Sequence, residues 1–176
     1  MMKIDLGGTS FGGITLKWNY DGERWVELSL PGYIEKILVR FCHPQPKRPQ
    51  DSPHPDPPTK FTMTTPTPPS PDKSPCLDEK GIKKIQKICG SILWYMRVCN
   101  ITTTKALNAI GSEKEKATET TRMWLNWLLN YLATHLNAKI RYWQSYMRLL
   151  IYSDASFLVE WDAKSNYGGY FYLGWN

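Results

Sequence analysis

Long apolar runs are missing from this chain. The most apolar window, "MWLNWLLNYL" from Met123 to Leu132, falls far short of the roughly 20 residues a membrane helix needs. The opening "MMKIDLGGTSFGG" has no basic stretch leading into an apolar one, so nothing in it reads as a secretion signal. An intracellular protein with no membrane partner is the expectation. Cysteine is scarce and unpatterned: Cys42, Cys76, Cys89 and Cys99 show no CxxC spacing, and a reducing compartment would leave them as small hydrophobes or exposed thiols. A zinc site from Cys42, His43, His54 and Cys76 is conceivable, but its spacing is irregular for such ligands. No repeat of fixed period occurs.

What is present sets the scale. With 176 residues, 41% of them hydrophobic, the chain can bury one core, as one domain or two small pieces. Twenty-two Lys and Arg against 16 Asp and Glu leave +6, which favours a polyanionic partner such as nucleic acid over an acidic substrate. Eight Trp and ten Tyr suit core packing and, equally, stacking on bases.

The first segment predicts a β-hairpin followed by a helix. "GGITLKW" and "RWVELSL" read as strands, and Asp21-Gly22 between them suits a tight reversal. In "SLPGYIEKILVRF", Ser29 is a candidate N-cap, Pro31 falls near the first turn, and Ile34, Ile37, Leu38 and Phe41 follow at helical spacing. From Pro44 to Pro75 the composition changes: twelve of the 13 prolines lie there, mixed with Thr, Ser, Asp and Lys. Proline supplies no N–H for a ladder or helix, so an extended, mostly disordered linker dividing the chain is expected.

"LDEKGIKKIQKICGSILWYMRVCN" is the clearest helix. At 100° per residue, Lys80, Lys83, Lys84 and Lys87 fall on one side and Ile82, Ile85, Cys89, Ile92 and Met96 on the other. The basic side reads either as a solvated face or as one that tracks phosphates. Gly90 costs roughly 1 kcal/mol of helix propensity within this pattern. A second helix is expected over "TETTRMWLNWLLNYLATH", capped by Thr118 or a nearby Thr, with Trp124, Leu128, Tyr131 and Leu132 as its packing stripe. Ser112 and Glu115 have capping-box spacing, which would start it earlier. "AKIRYW", "MRLLIYSD" and "GGYFYLGW" then read as three strands of a sheet only begun. Unpaired backbone at its last strand leaves room for a partner strand or for aggregation, and marginal stability is expected for the chain alone.

In order and in motif these segments resemble the copia-type reverse transcriptase and ribonuclease H region of LTR retrotransposon polymerase polyproteins. "SFGGITLKWNYDGERWVELSLPGYIEKIL" resembles the hairpin after the polymerase palm, with Phe11, Gly12, Gly13 and Ile14 at a Phe-Leu-Gly-Ile type motif. In the family that hairpin is the primer grip, and a Gly here stands where Leu or Cys is frequent. "LDEKGIKKIQKICGSILWYMRVC" leading into "NITTTKALNAI" resembles the helices of the thumb and connection, which cradle the template-primer duplex. The resemblance makes Lys80, Lys83, Lys84 and Lys87 candidate phosphate contacts, which carry no sequence specificity. It implies an α+β chain: residues 1–43, the end of the palm with hairpin and helix; 44–76, the proline-rich linker; 77–138, the helical thumb and connection; 139–176, the truncated start of a ribonuclease H-like sheet.

"LLIYSDASFLVEWDAKSNYGGYFYLG" resembles the first ribonuclease H hairpin, with Gly169 and Tyr170 at the start of its second strand. Asp154 then matches the first of the carboxylates that hold two Mg²⁺ ions. One ion activates the attacking water and the other steadies the leaving oxygen. A hard cation needs several oxygen ligands, so one Asp cannot perform this chemistry, and read alone Asp154 is a turn residue. The later carboxylates of the family find no counterpart between Ala155 and Asn176, while Glu160 and Asp162 read as solvated loop charges. The palm signature of two adjacent aspartates is also missing. Two readings follow: a catalytically inactive piece of a retrotransposon reverse transcriptase and ribonuclease H that binds a DNA/RNA hybrid or template-primer duplex, or a non-enzymatic basic helical module that binds nucleic acid or a protein.

Overall fold

A computed structural model describes residues 9–55, 72–113, 115–155, 165 and 167–174. It is a mixed α+β structure with, among the described residues, four α-helices and two small antiparallel sheets. Two units are distinct. One holds the described residues of 9–55 and 74–142, and the other is the hairpin that follows.

In the first unit, β1 (Ser10–Phe11), β2 (Ile14–Asn19) and β3 (Trp25–Ser29) form an antiparallel meander. The turn from β2 to β3 uses Gly22 at φ 87°, a left-handed conformation that costs glycine nothing. α1 (Tyr33–Arg40) follows. Its start differs from expectation: Ser29 closes β3, and Gly32 at φ 72° occupies the cap position without a side-chain hydrogen bond. Pro31 fixes the approach to that turn instead of lying inside the helix.

α2 (Glu79–Cys99) runs unbroken through Gly90. Asp78 caps it by accepting from the Gly81 N–H at 2.8 Å, and Ile85, Ile88, Ile92 and Tyr95 are buried at helical spacing. A short 3₁₀ turn (Ile101–Thr103) leads into α3 (Thr104–Ser112). α4 (Glu119–Thr134) begins at Thr118, whose hydroxyl accepts from the Thr121 N–H while Thr121 answers the Thr118 N–H, a reciprocal capping box. Ser112 caps nothing. It ends α3, and its hydroxyl donates to the Ala109 carbonyl. Leu125, Leu128, Leu129 and Leu132 of α4 join the α1 and α2 side chains in one core.

Two sequence expectations are corrected here. β4 (Lys139–Trp143) does not join the later strands. It lies beside β3, completing a sheet in the order β1-β2-β3-β4. Tyr95 brings it there: its buried hydroxyl donates to the Leu136 carbonyl and accepts from the Ala138 N–H, both at 3.2 Å. The described start of the proline-rich segment is not a loose linker. It is strapped along α4, with the Gln50 N–H donating to Thr134 Oγ1 at 3.0 Å and Trp127 Nε1 to the Ser52 carbonyl at 2.8 Å. Proline withholds N–H groups but keeps every carbonyl, so such a strand can still be held from outside. At the far end the Glu119 N–H donates to the Pro75 carbonyl, and both flanks therefore share one core.

The second unit is an antiparallel pair, β5 (Arg148–Ala155) with β6 (Tyr167–Gly174), in full register from Arg148↔Gly174 to Ala155↔Tyr167.

Candidate nucleic-acid interface

The basic face of α2 meets the end of α1. Lys80, Lys83, Lys84 and Lys87 line one side of an open groove of about 490 Å³, and Arg40, Phe41 and Cys42 line the other. All four lysines are exposed, because the opposite face of α2 carries the isoleucines that pack into the core. The Arg40 guanidinium lies 5.4 Å from the Phe41 ring centroid, a distance that suits a cation–π contact. From Lys80 to Lys87 the helix rises about 10 Å, the axial span of roughly three nucleotides of one strand.

One acid interferes with this field. Glu79 pairs with Lys83 at 2.5 Å, both side chains being largely exposed. An exposed i,i+4 pair contributes only about 0.3–0.5 kcal/mol, so a phosphate can replace that carboxylate at small cost. Five cations from two helices remain on one groove.

Phe11, Gly12, Gly13 and Ile14 form the β1–β2 turn. Gly12 and Gly13 have φ of 57° and 85°, the positive values that a two-residue hairpin turn of this kind demands. A leucine at either position would be strained, which gives glycine here a backbone reason. Phe11 is 75% exposed, while Ile14 packs on the core. The turn and the lysine groove are formed by separate elements.

A second charged cluster, unforeseen in the sequence, lies on the sheet. Glu27 of β3 is buried, and its Oε2 accepts from Arg141 Nη2 at 2.7 Å, Arg141 Nε at 3.2 Å and Lys139 Nζ at 3.2 Å. The Arg141 hydrogen bond holds the Glu27 carboxyl below its usual range, against burial, which pushes it up; Lys139 adds to the lowering. Arg141 also lies 4.3 Å over the Trp25 ring. Lys17, opposite Glu27 in the β2–β3 register, shares that face of the sheet. With its acid neutralised twice over, the cluster joins β3 to β4 and keeps a positive balance.

Asp154 lies within β5, opposite Gly168, and not beyond the strand's end. Its Oδ1 accepts from the Ala155 N–H at 2.9 Å, and the residue is exposed. Among the described residues no three His, Cys, Asp or Glu side chains converge, whereas a two-Mg²⁺ centre takes several oxygen ligands. Glu160 and Asp162 lie outside the described residues. Of the zinc candidates, His43 Nε2 lies 2.8 Å from Asn130 Oδ1, the His54 ring packs on Trp124, and Cys42 and Cys76 are exposed thiols. Cys99 is buried, and burial pushes its thiol up to about 11, away from nucleophilic use. No helix among the described residues is long and apolar enough to cross a membrane.

No family model, curated protein or solved structure matches this chain.

Arg40 and Phe41 are the groove residues that sequence reasoning missed. Arg40 sits in the last turn of α1, where a cation complements the helix dipole, and that local role conceals its meeting with lysines about forty positions later.

Proposed function

We propose that this chain binds a nucleic-acid duplex, a DNA/RNA hybrid or template-primer, through the α1–α2 groove, and that it corresponds to the end of the palm with its primer grip, the thumb and the connection of a copia-type retrotransposon reverse transcriptase, running into the start of ribonuclease H. The observation that carries the binding is the meeting of Arg40 with Lys80, Lys83, Lys84 and Lys87 on one groove. Four lysines on one helix are a common solvated face. An arginine brought to them by a second helix, beside an aromatic ring, gives phosphates contacts from two directions.

The role is positioning without sequence readout, because lysine reaches phosphate as a point charge and carries no base information. In this reading Asp154 is a single carboxylate of a Mg²⁺ site whose remaining ligands come from other parts of the polyprotein, and the chain alone supplies no catalysis.

Titration of a labelled DNA/RNA hybrid across salt concentrations tests this. Affinity that falls steeply with salt and is indifferent to sequence is expected, with a log–log slope of about −4.5 if five phosphates are engaged. No binding at low salt overturns it.

A further inference from the structure

The β5–β6 hairpin exposes an apolar surface and a strand edge that no described residue pairs with. Only β6 pairs with β5 among the described residues, so alternate N–H and C=O groups of β5 point away from the pair. The hairpin is apolar and open: Leu149, Ile151, Tyr152, Phe171 and Leu173 are each about half exposed or more. A two-stranded pair is marginal in water, whereas three or more strands with an apolar face are stable.

We infer that the edge of β5 facing away from β6, unpaired among the described residues, pairs antiparallel with β5 of a second copy of this chain, giving a closed dimer with the strand order β6-β5-β5-β6. The sequence of β5 is complementary to itself. With Ile151 on the two-fold axis, Arg148 of each copy stands opposite Asp154 of the other, and Leu150 stands opposite Tyr152. Arg148, Leu150, Tyr152 and Asp154 alternate onto one face of the strand. That face also bears the stacked Tyr152 and Tyr172, whose rings are 6.0 Å apart, and Tyr170 beside them. The dimer therefore joins two tyrosine clusters across a Leu–Tyr row closed at each end by an ion pair. On the other face Ile151 meets its own copy and Leu149 meets Ser153.

The edge of β6 is a poor alternative. It has Gly168, Gly169 and Gly174 and no charged side chain, so nothing fixes a register there. A shift of β5 by two residues breaks both Arg148–Asp154 pairs at once, which is why the charges select the Ile151-centred register. This inference is independent of nucleic-acid binding.

Sedimentation equilibrium of the full chain tests it, with Arg148→Asp and with the double swap Arg148→Asp/Asp154→Arg. The native chain is expected to dimerise with concentration. The single change should weaken the dimer about tenfold, by turning two attractive cross-strand pairs repulsive, and the swap should restore it. Both positions are exposed, so the fold is not at stake. Ile151→Cys supplies a geometric readout: antiparallel partners lie about 4.5–5.5 Å apart at Cα, within disulfide reach, so mild oxidation should cross-link it above the wild-type background, and Leu149→Cys should not. A monomer at all concentrations, an open-ended aggregate, a dimer indifferent to the charge changes, or no cross-link at Ile151→Cys each overturns the proposal.

Discussion

Glu27 is the residue on which the sheet's last strand depends most. Its carboxylate accepts three hydrogen bonds from Arg141 and Lys139, and both of those side chains are partly solvated. The cations can thus turn to water when the acid is removed, which limits the loss. We expect Glu27→Gln to lower stability at neutral pH by about 1–2 kcal/mol, the range for a hydrogen bond to a charged group discounted for solvent. The pH dependence has a definite sign. The folded-state carboxyl lies below the ordinary value of 4.5, so its contribution is complete above that value and is lost as pH falls through the folded pKa. Chemical denaturation of the two proteins at several pH values checks this. Their stabilities should converge in acid; a constant gap down to strongly acidic pH would show that packing, not charge, is what the substitution removes.

At the scale of elements, capping and periodicity decide where helices form, and α4 is the sharpest case. Thr118 is held on three sides: it caps Thr121, answers it through the reciprocal hydroxyl, and forms the bridge with Cys76 that ties the end of the proline-rich segment to α4. Thr118→Ala should cost about 1 kcal/mol, within the ~0.5–2 kcal/mol range for such caps, read as a lower midpoint in thermal unfolding. A change within error would place helix stability in the packing of Leu125, Leu128 and Leu132 alone. Thr118, the α2 stripe and the β2–β3 hairpin were legible in the sequence because each is a local pattern of period 3.6 or 2, or a turn pair such as Asp21-Gly22. The pairing of β4 with β3 was not, since Glu27 and Arg141 are 114 positions apart and nothing local joins them. The strap along α4 escaped for a related reason: its contacts run through single backbone groups, the Gln50 N–H and the Ser52 carbonyl, to isolated side chains, which leave no period in the sequence. Ser112 shows the opposite error, a capping spacing spent on the end of the preceding helix.

At the scale of the molecule, two features stand out: a groove of the first unit lined by Arg40 and four lysines, and a hairpin whose β5 edge is unpaired among the described residues and self-complementary in sequence. The lysines of that groove were legible from helical spacing, whereas Arg40 needed the packing of α1 on α2 to bring it there. Asp154 was legible as an acid on a strand, but a strand position carries no information about which other carboxylates share its space. The central claim is that the groove binds the phosphates of a duplex, and a charge-matched comparison tests it most directly. Lys83→Glu/Lys84→Glu alters the groove, while Lys105→Glu/Lys116→Glu makes the same net change at exposed positions outside it. Hybrid affinity should fall at least tenfold for the first pair, with the salt slope shallower by about 2, and should change much less for the second. Equal losses from both pairs would reduce the effect to net charge and contradict the groove as the binding site.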